Sequence, residues 1–238
     1  MPRPPVRLLA PNAVTAANIA SGFSSMLAAT DGRFELAVYL LLLAITLDMC
    51  DGIVARLLDA TSEFGQEMDS FSDAVSFGVA PAFLLQRALL ADAGLWGIVV
   101  SVVFLLCGVL RLTRFVLTTD AHGKERRTDG VPIPVAASYI MAMVLMRDEI
   151  PTIAAAAVAL LMAGLMISHV RLPNLKGRNV VTALMLVGMT NYFALVFHPS
   201  WITIGWWNVW NVVIIVVARA HERKLTPAEE EAELEAEG

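Results

Sequence analysis

Long apolar runs constrain this sequence more than any other feature. The hydrocarbon core of a bilayer is about 30 Å thick, and a helix of about 20 mostly apolar residues crosses it. About eight such runs follow one another with short connections between them. They predict an all-α fold, a polytopic membrane bundle of about eight transmembrane helices, at Ala13–Thr30, Phe34–Leu57, Gly65–Leu89, Gly94–Leu117, Val131–Met146, Ile150–Val170, Val180–His198 and Trp201–Ala220.

The composition agrees with a lipid environment. Hydrophobic residues make up 57% of the 238 residues and charged residues 16%, whereas a soluble domain is about half apolar and about a quarter charged. This excludes a disordered chain, a basic domain that binds nucleic acid and a disulfide-stapled secreted module. The net charge of -5 comes from glutamates near the C-terminus. We therefore expect a membrane domain over residues 1–225 and an acidic, disordered tail over residues 226–238.

The basic residues predict the orientation of the helices. Cytoplasmic loops of membrane proteins carry an excess of lysine and arginine. With an even number of spans and both termini in the cytoplasm, 14 of the 17 basic residues fall on the cytoplasmic side. Only Arg33, Arg87 and Arg147 remain outside. The protein is therefore predicted to be a multi-pass protein of the cell membrane.

Four aspartates lie within or at the ends of the second and third apolar runs. A carboxylate at a helix centre costs about 2.5–3.5 kcal/mol, so four of them need compensation. Asp48 and Asp51 share one helix face, as do Asp69 and Asp73. Because consecutive helices are antiparallel neighbours, the two pairs can face each other, and oxygen-only ligation suits magnesium, manganese or calcium. The alternative is a set of proton relays or salt-bridge partners.

Small residues and an arginine accompany the aspartates. Gly52, Ala55 and Gly65 let a ligand or a backbone approach closely. Arg56 carries a planar donor fork suited to a phosphate, although it would also serve as an anchor at the membrane surface. Carboxylates that hold metals beside an arginine indicate a phosphate or diphosphate substrate.

Written as one pattern, this stretch resembles the signature of the CDP-alcohol phosphatidyltransferase family. The pattern spans 26 residues and reads Asp48-x2-Asp51-Gly52-x2-Ala55-Arg56-x8-Gly65-x3-Asp69-x3-Asp73. The resemblance implies a membrane enzyme, usually a homodimer, in which an alcohol displaces CMP from a CDP-linked lipid. It also implies that the active site opens to the cytoplasm.

The resemblance further assigns roles to individual residues. It implies that the four aspartates hold two divalent ions, Mg²⁺ or Mn²⁺, and that Asp73 is the base that deprotonates the acceptor. It implies contacts with the cytidine diphosphate group at Gly52, Arg56 and Ser62.

Three further segments are similar to the bacterial and archaeal phosphatidylserine synthases of this family. They are Pro11 to Phe23, Asp69 to Ala82, and the pair Arg111-Leu112-x-Arg114-Phe115 with Gly130-x-Pro132-x-Pro134. They imply CDP-diacylglycerol and L-serine as substrates. Val116 and Asp129 depart from that branch, which commonly has an asparagine and an aromatic residue there. Glycerol 3-phosphate, inositol phosphate or choline is therefore the alternative acceptor.

Two groups of polar residues are candidates for substrate contacts. Arg111 and Arg114, near the end of the fourth run, are suited to the carboxylate of an amino-acid acceptor. They would equally serve as topology anchors. Asn12, Thr15 and Asn18 are candidates for the wall of the nucleotide pocket, with helix capping and hydrogen bonds to neighbouring residues as the alternative.

A transporter that couples to a cation or a proton is the rival from another class. Such transporters are commonly built from internal repeats. No second copy of the aspartate pattern follows residue 82. The sequence therefore favours an enzyme of the lipid bilayer that does not bind nucleic acid.

Overall fold

The computed structural model describes residues 6–58, 60, 62–118, 130–168, 193–194, 197–198, 200–207 and 209–210. These residues form helices, turns and bends, and none of them lies in a β-strand. The principal helices are α1 (Val6–Thr30), α2 (Phe34–Leu57), α3 (Glu63–Asp73), α4 (Ala80–Ala88), α5 (Leu95–Thr118), α6 (Ile133–Leu145) and α7 (Thr152–Ile167). A π-helical segment, Ala74–Val79, joins α3 directly to α4.

The all-helical prediction is confirmed, and the first six predicted runs each coincide with helical structure. Helix α1 begins at Val6, earlier than the predicted Ala13, and α6 and α7 are shorter than predicted. Phe34–Ala55 and Leu95–Leu117 are long and apolar enough to cross a membrane. Most of the last two predicted runs, and the acidic tail, lie outside the described residues. The number of spans and their orientation stay predictions.

Helices α1 and α2 form a closely packed antiparallel hairpin. They meet at a short turn in which Gly32 has a φ of 73°, a conformation that glycine adopts without steric cost. The hydroxyls of Ser21 and Ser25 donate to the carbonyls of Leu40, at 2.7 Å, and Ala37, at 2.9 Å. Small residues let helix backbones approach closely in this way. The hairpin gives α2 a fixed position beside α1.

Helix α3, the π-helical segment and α4 form one continuous rod across the bundle. The Ala80 N–H donates to the carbonyl of Val75, five residues back, just before Pro81, which has no N–H to donate to the preceding turn. The rod packs against α1, α5 and α6. Phe77, Leu84 and Leu85 on it are fully buried. Packing of this rod on the hairpin brings α3 beside the aspartates of α2.

Candidate functional site

The four aspartates come together between the C-terminal half of α2, which carries Asp48 and Asp51, and the C-terminal half of α3, which carries Asp69 and Asp73. Asp48, Asp51 and Asp69 each place an oxygen within 4.8 Å of the others. Asp73 lies close enough to Asp48 and Asp69 for their charges to act on it. Carboxylates this close repel one another unless a proton or a cation lies between them. The structure therefore brings together all four residues of the predicted metal-binding set.

The donor atoms of the cluster suit a divalent cation. Its donors are all carboxylate oxygens, which suit hard ions such as Mg²⁺ and Mn²⁺. Asp51 is buried, with 6% of its surface exposed. The Asp73 Oδ1 atom is also buried and has no hydrogen-bond partner among the described residues. Buried oxygens that lack protein donors are the expected property of metal ligands.

Helix α1 contributes a hydroxyl to the cluster. The Thr15 Oγ1 atom lies 2.8 Å from Asp51 Oδ2 and 3.1 Å from the carbonyl oxygen of Pro11. The hydroxyl has a single proton to donate, so it serves one of these acceptors at a time. Thr15 thus links α1 to a carboxylate of α2 and orients it.

A cavity of about 290 Å³ opens beside the carboxylates. This volume is close to the lower limit, about 300 Å³, of ordinary small-molecule pockets. Eight residues singled out from the sequence line it, namely Asn12, Thr15, Asp51, Gly52, Ala55, Ser62, Gly65 and Asp69. The motif residues therefore share one concave surface.

Ser62 and Gly65 shape one wall of this cavity. Ser62 is the N-cap of α3, and its Oγ atom accepts a hydrogen bond of 3.1 Å from the Gly65 N–H. A Cβ atom at Gly65 would lie 3.2 Å from Ser62 Oγ and 3.4 Å from Asn12 Oδ1. Such a side chain would crowd the wall, which explains why glycine suits this position.

Three lining residues were not found by sequence reasoning. They are Pro11, Ala60 and Gln66. Ala60 falls within the unspecified gap of the pattern, so nothing in the sequence pointed to it. Gln66 directly follows Gly65, and Pro11 is the first residue of the segment that contains Thr15. Their closeness to these predicted site residues was the sequence signal that could have identified them.

Two predicted nucleotide contacts are not part of the cavity wall as described. Asn18 is fully buried in α1, and its carbonyl accepts a hydrogen bond of 3.2 Å from the Ser76 hydroxyl. The Asn18 side-chain amide has no hydrogen-bond partner among the described residues. Arg56 belongs to α2, and its side chain lies outside the described part of the chain.

The two arginines near the end of α5 have different surroundings. Arg111 is buried, its guanidinium carbon lies 5.3 Å from the centroid of the Phe115 ring, and its charge acts on Asp73. The guanidinium of Arg114 instead donates to carbonyls at the end of α7, at distances of 3.2–3.3 Å, on Met166, Ile167 and Ser168. Of the two arginines, Arg111 therefore lies next to the carboxylates, whereas the contacts of Arg114 hold it at the end of α7.

Comparison with known proteins identifies the class to which this fold and site belong. The sequence model of the CDP-alcohol phosphatidyltransferase family matches residues 8–170. The match covers all four aspartates and the cavity wall, and it extends over more than half of the chain. The chain therefore belongs to the CDP-alcohol phosphatidyltransferase family.

Individual relatives are similar over most of their length. A protein of Methanothermobacter thermautotrophicus named archaetidylserine synthase is 38% identical over 175 residues, covering 73% of each chain. A CDP-diacylglycerol–serine O-phosphatidyltransferase of Helicobacter pylori is 36% identical over 182 residues, covering 74% of this chain and 76% of the relative. A protein of the same name from Bacillus subtilis is 31% identical over 166 residues, covering 70% and 90%.

Proposed function

We propose that this protein is a membrane enzyme that transfers the phosphatidyl group of CDP-diacylglycerol to the hydroxyl of L-serine and releases CMP. The observation that carries the proposal is the cluster of four carboxylates beside a cavity lined by the family's motif residues. The serine acceptor is supported by relatives from both archaea and bacteria whose names specify transfer to serine or synthesis of a serine lipid.

The carboxylate cluster is proposed to hold two divalent ions, Mg²⁺ or Mn²⁺. The ligands would be Asp48, Asp51, Asp69 and Asp73. Such ions, when bound, supply positive charge that polarises a diphosphate and stabilises the departing phosphate oxygen. Thr15 would keep the Asp51 carboxylate oriented for this role, because its hydroxyl lies 2.8 Å from Asp51 Oδ2.

The cavity is proposed to hold the cytidine diphosphate part of the donor. The small residues Gly52, Ala55 and Gly65 leave room for the nucleotide along α2 and α3, and Ser62 lines the same wall. Arg56, next to Ala55 on α2, would provide a bidentate fork for the phosphates. Asn18, buried behind Thr15 on α1, would contribute from the interior of the bundle rather than from the cavity wall.

Asp73 is proposed as the base and Arg111 as the residue that binds the carboxylate of serine. A serine hydroxyl is a weak nucleophile, so a positioned carboxylate must accept its proton during attack. The serine oxygen then bonds to the phosphorus that carries the diacylglycerol, while the bond from that phosphorus to the CMP oxygen breaks. Arg111 acts on Asp73, so a serine carboxylate held by Arg111 would bring the hydroxyl near the base.

Arg114 is the second candidate for the acceptor. Its guanidinium donates to three carbonyls at the end of α7. A serine carboxylate would have to share or displace these bonds. This competition favours Arg111 as the principal acceptor contact.

The protein is further proposed to cross the membrane several times as a homodimer, with both termini and the active site on the cytoplasmic side. The distribution of basic residues supports this orientation, since 14 of 17 fall on one side when eight spans are counted. The carboxylates lie at the end of α2 that this count places in the cytoplasm, where both CMP and serine are soluble.

The test is CMP release by the purified, detergent-solubilised protein supplied with CDP-diacylglycerol and Mn²⁺. Serine, glycerol 3-phosphate, inositol phosphate and choline are offered one at a time. We expect release with serine alone. Release only with another alcohol would retain the phosphatidyl transfer and overturn the serine acceptor. No release with any acceptor and any divalent metal would contradict the proposed activity.

A further inference from the structure

A second cavity lies at the opposite end of α2 from the carboxylates. Its volume is about 450 Å³, and its lining includes Arg33, Phe34, Glu35, Tyr39 and Arg147. Because a helix rises about 1.5 Å per residue, Asp48 lies about 21 Å along α2 from Phe34 and about 14 Å from Tyr39, the lining residue of α2 closest to it. The cavity is therefore separate from the proposed active site, and an inference drawn from it does not depend on the proposed function.

The charged residues at this end are unevenly distributed. Two of the three arginines that the topology count leaves outside the cytoplasm, Arg33 and Arg147, line the cavity. The third, Arg87, lies elsewhere and donates to the carbonyl of Thr30. Four acidic residues at the same end of the molecule do not line the cavity, namely Asp31, Asp92, Asp148 and Glu149. The lining thus combines two guanidinium groups with one carboxylate, that of Glu35.

The two arginines are only weakly engaged by carboxylates. Within the described residues Arg33 makes no ion pair, and Arg147 reaches only Asp148, at 4.0 Å, whose side chain is 90% exposed. The guanidinium carbon of Arg147 lies 5.6 Å from the centroid of the Phe34 ring. Stacking on an aromatic face holds a guanidinium while leaving the N–H donors at its edge for an anion.

An exposed apolar surface continues from the cavity along the helix. Tyr39 is 42% exposed, and Leu43, one turn further on α2, is 48% exposed. Phe197 stacks on Tyr39 with 5.9 Å between ring centroids and is itself 57% exposed. A soluble phosphate compound gains nothing from such a surface, whereas the acyl chains of a lipid bury it.

We propose that this cavity binds the headgroup of an aminophospholipid. Arg33 and Arg147 hold the phosphate, which suits two donor forks. Glu35 holds the ammonium group of the headgroup, and the acyl chains lie along Tyr39 and Leu43. A lipid with a primary ammonium group, such as phosphatidylethanolamine, therefore binds better than phosphatidylglycerol, whose uncharged glycerol offers Glu35 no cationic partner.

Native mass spectrometry of the purified full chain tests this site. The protein is titrated with phosphatidylethanolamine or phosphatidylglycerol, with and without excess inorganic phosphate or phosphoethanolamine. We expect the double variant Arg33→Gln/Arg147→Gln to retain at least tenfold less phosphatidylethanolamine than the wild type. We expect Glu35→Gln to lose the preference for that lipid over phosphatidylglycerol.

Arg87→Gln is the matched control, because it removes one positive charge at the same end but outside the cavity. It should retain lipid like the wild type, and thermal unfolding checks that each variant is folded. Wild-type retention by the double variant would overturn the proposal. An unchanged lipid preference in Glu35→Gln would overturn the role of Glu35, and displacement of the lipid by either soluble phosphate compound would overturn the contribution of the acyl chains.

A measurement on the unmodified protein covers the case in which the double variant does not fold. A photoactivatable phosphatidylethanolamine is crosslinked to the wild type, and the labelled peptides are sequenced. Label on the segment from Gly32 to Leu43 supports the site. Label confined to other segments contradicts it.

Discussion

Asp73 occupies a distinct place among the four carboxylates. The charges of Asp48 and Arg111 both act on it, whereas Asp51 is held by Thr15. A base that serves an acceptor must lie where the acceptor is bound, and Arg111 is the cation proposed to bind it. The contacts of single residues therefore distinguish the proposed base from the remaining ligands.

Replacing Asp73 by asparagine keeps the size of the side chain and removes the basic oxygen. We expect kcat for CMP release to fall by about 10²–10⁴-fold, the usual contribution of a general base. Binding of CDP-diacylglycerol should remain close to that of the wild type. Asp92→Asn, the same change at an exposed acid near the start of α5, is the control and should stay active. Near-full turnover in Asp73→Asn would rule out the base assignment.

Thr15 allows a test of the metal site that leaves the carboxylates intact. Thr15→Val removes the hydroxyl that lies 2.8 Å from Asp51 Oδ2, so the Mn²⁺ concentration for half-maximal activity should rise by about 10–100-fold, as for other partners of metal ligands. Thr15→Ser, which keeps the hydroxyl, should restore the wild-type Mn²⁺ dependence. Thr30→Val, which removes a hydroxyl that among the described residues bonds to the Met26 carbonyl alone, should not change the Mn²⁺ dependence. An unaltered Mn²⁺ dependence in Thr15→Val would contradict the orienting role.

At the scale of elements, the close approach of α1 to the π-helical segment positions the site. A Cβ atom at Gly22 would collide with the Ser76 hydroxyl and would lie 2.9 Å from Ser76 Cα. Ser72 and Ser76 also bond to carbonyls of α1, at Thr15 and Asn18. The approach at Gly22 therefore sets the distance between Thr15 on α1 and the aspartates of α3.

Gly22→Ala should force these two elements apart. We expect the free energy of unfolding to fall by about 1–3 kcal/mol, the usual cost of overpacking, with a loss of CMP release. Thermal or denaturant unfolding in detergent measures the first effect. Gly164→Ala in α7 is the matched control, because no atom from another described segment lies within 4 Å of its added Cβ, and it should be neutral or stabilising. Equal stability of the two variants would refute the close-packing argument.

Arg114 connects the end of α5 to the end of α7. Arg114→Met keeps the aliphatic stem but removes the donors to Met166, Ile167 and Ser168. Bonds from charged donors are worth about 1.5–3 kcal/mol, so we expect a loss of stability of that order. The KM for serine should change little.

Arg111→Met gives the complementary result, a KM for serine raised by about tenfold or more, which corresponds to about 1.4 kcal/mol or more. Serine-dependent CMP release at varied serine concentrations measures both variants. A raised KM for serine in Arg114→Met together with an unchanged KM in Arg111→Met would indicate that Arg114, and not Arg111, binds the serine carboxylate.

At the scale of the whole molecule, the proposed orientation places the two cavities at opposite faces of the membrane. Reporter domains fused after residue 225 and before Met1 test it. Both fusions should report the cytoplasm, because eight spans return the chain to the side on which it began. Reporters on different faces would require an odd number of spans, and reporters that both lie outside would reverse the assignment of the active site.

The sequence by itself determined the helical class, the approximate positions of the helical segments in the first six apolar runs, and the four aspartates as one set. Helix-length apolar runs and aspartates at spacings of three and four residues are local properties, so each can be recognised without knowledge of the packing. The spacing from Asp48 to Asp73 also carried the family resemblance, because residue types and intervals are constrained together.

Only the tertiary structure decided how distant segments meet. The hydrogen bond from Thr15 to Asp51 joins residues 36 positions apart, and the sequence placed Thr15 either in a nucleotide pocket or in hydrogen bonds to neighbouring residues. The Ala60 contribution to the cavity, the separation of Arg111 from Arg114 and the second cavity likewise depend on which helix faces pack together. Packing depends on the shapes of several helices at once, as at Gly22 and Ser76, and the periodicity of one segment does not contain that information.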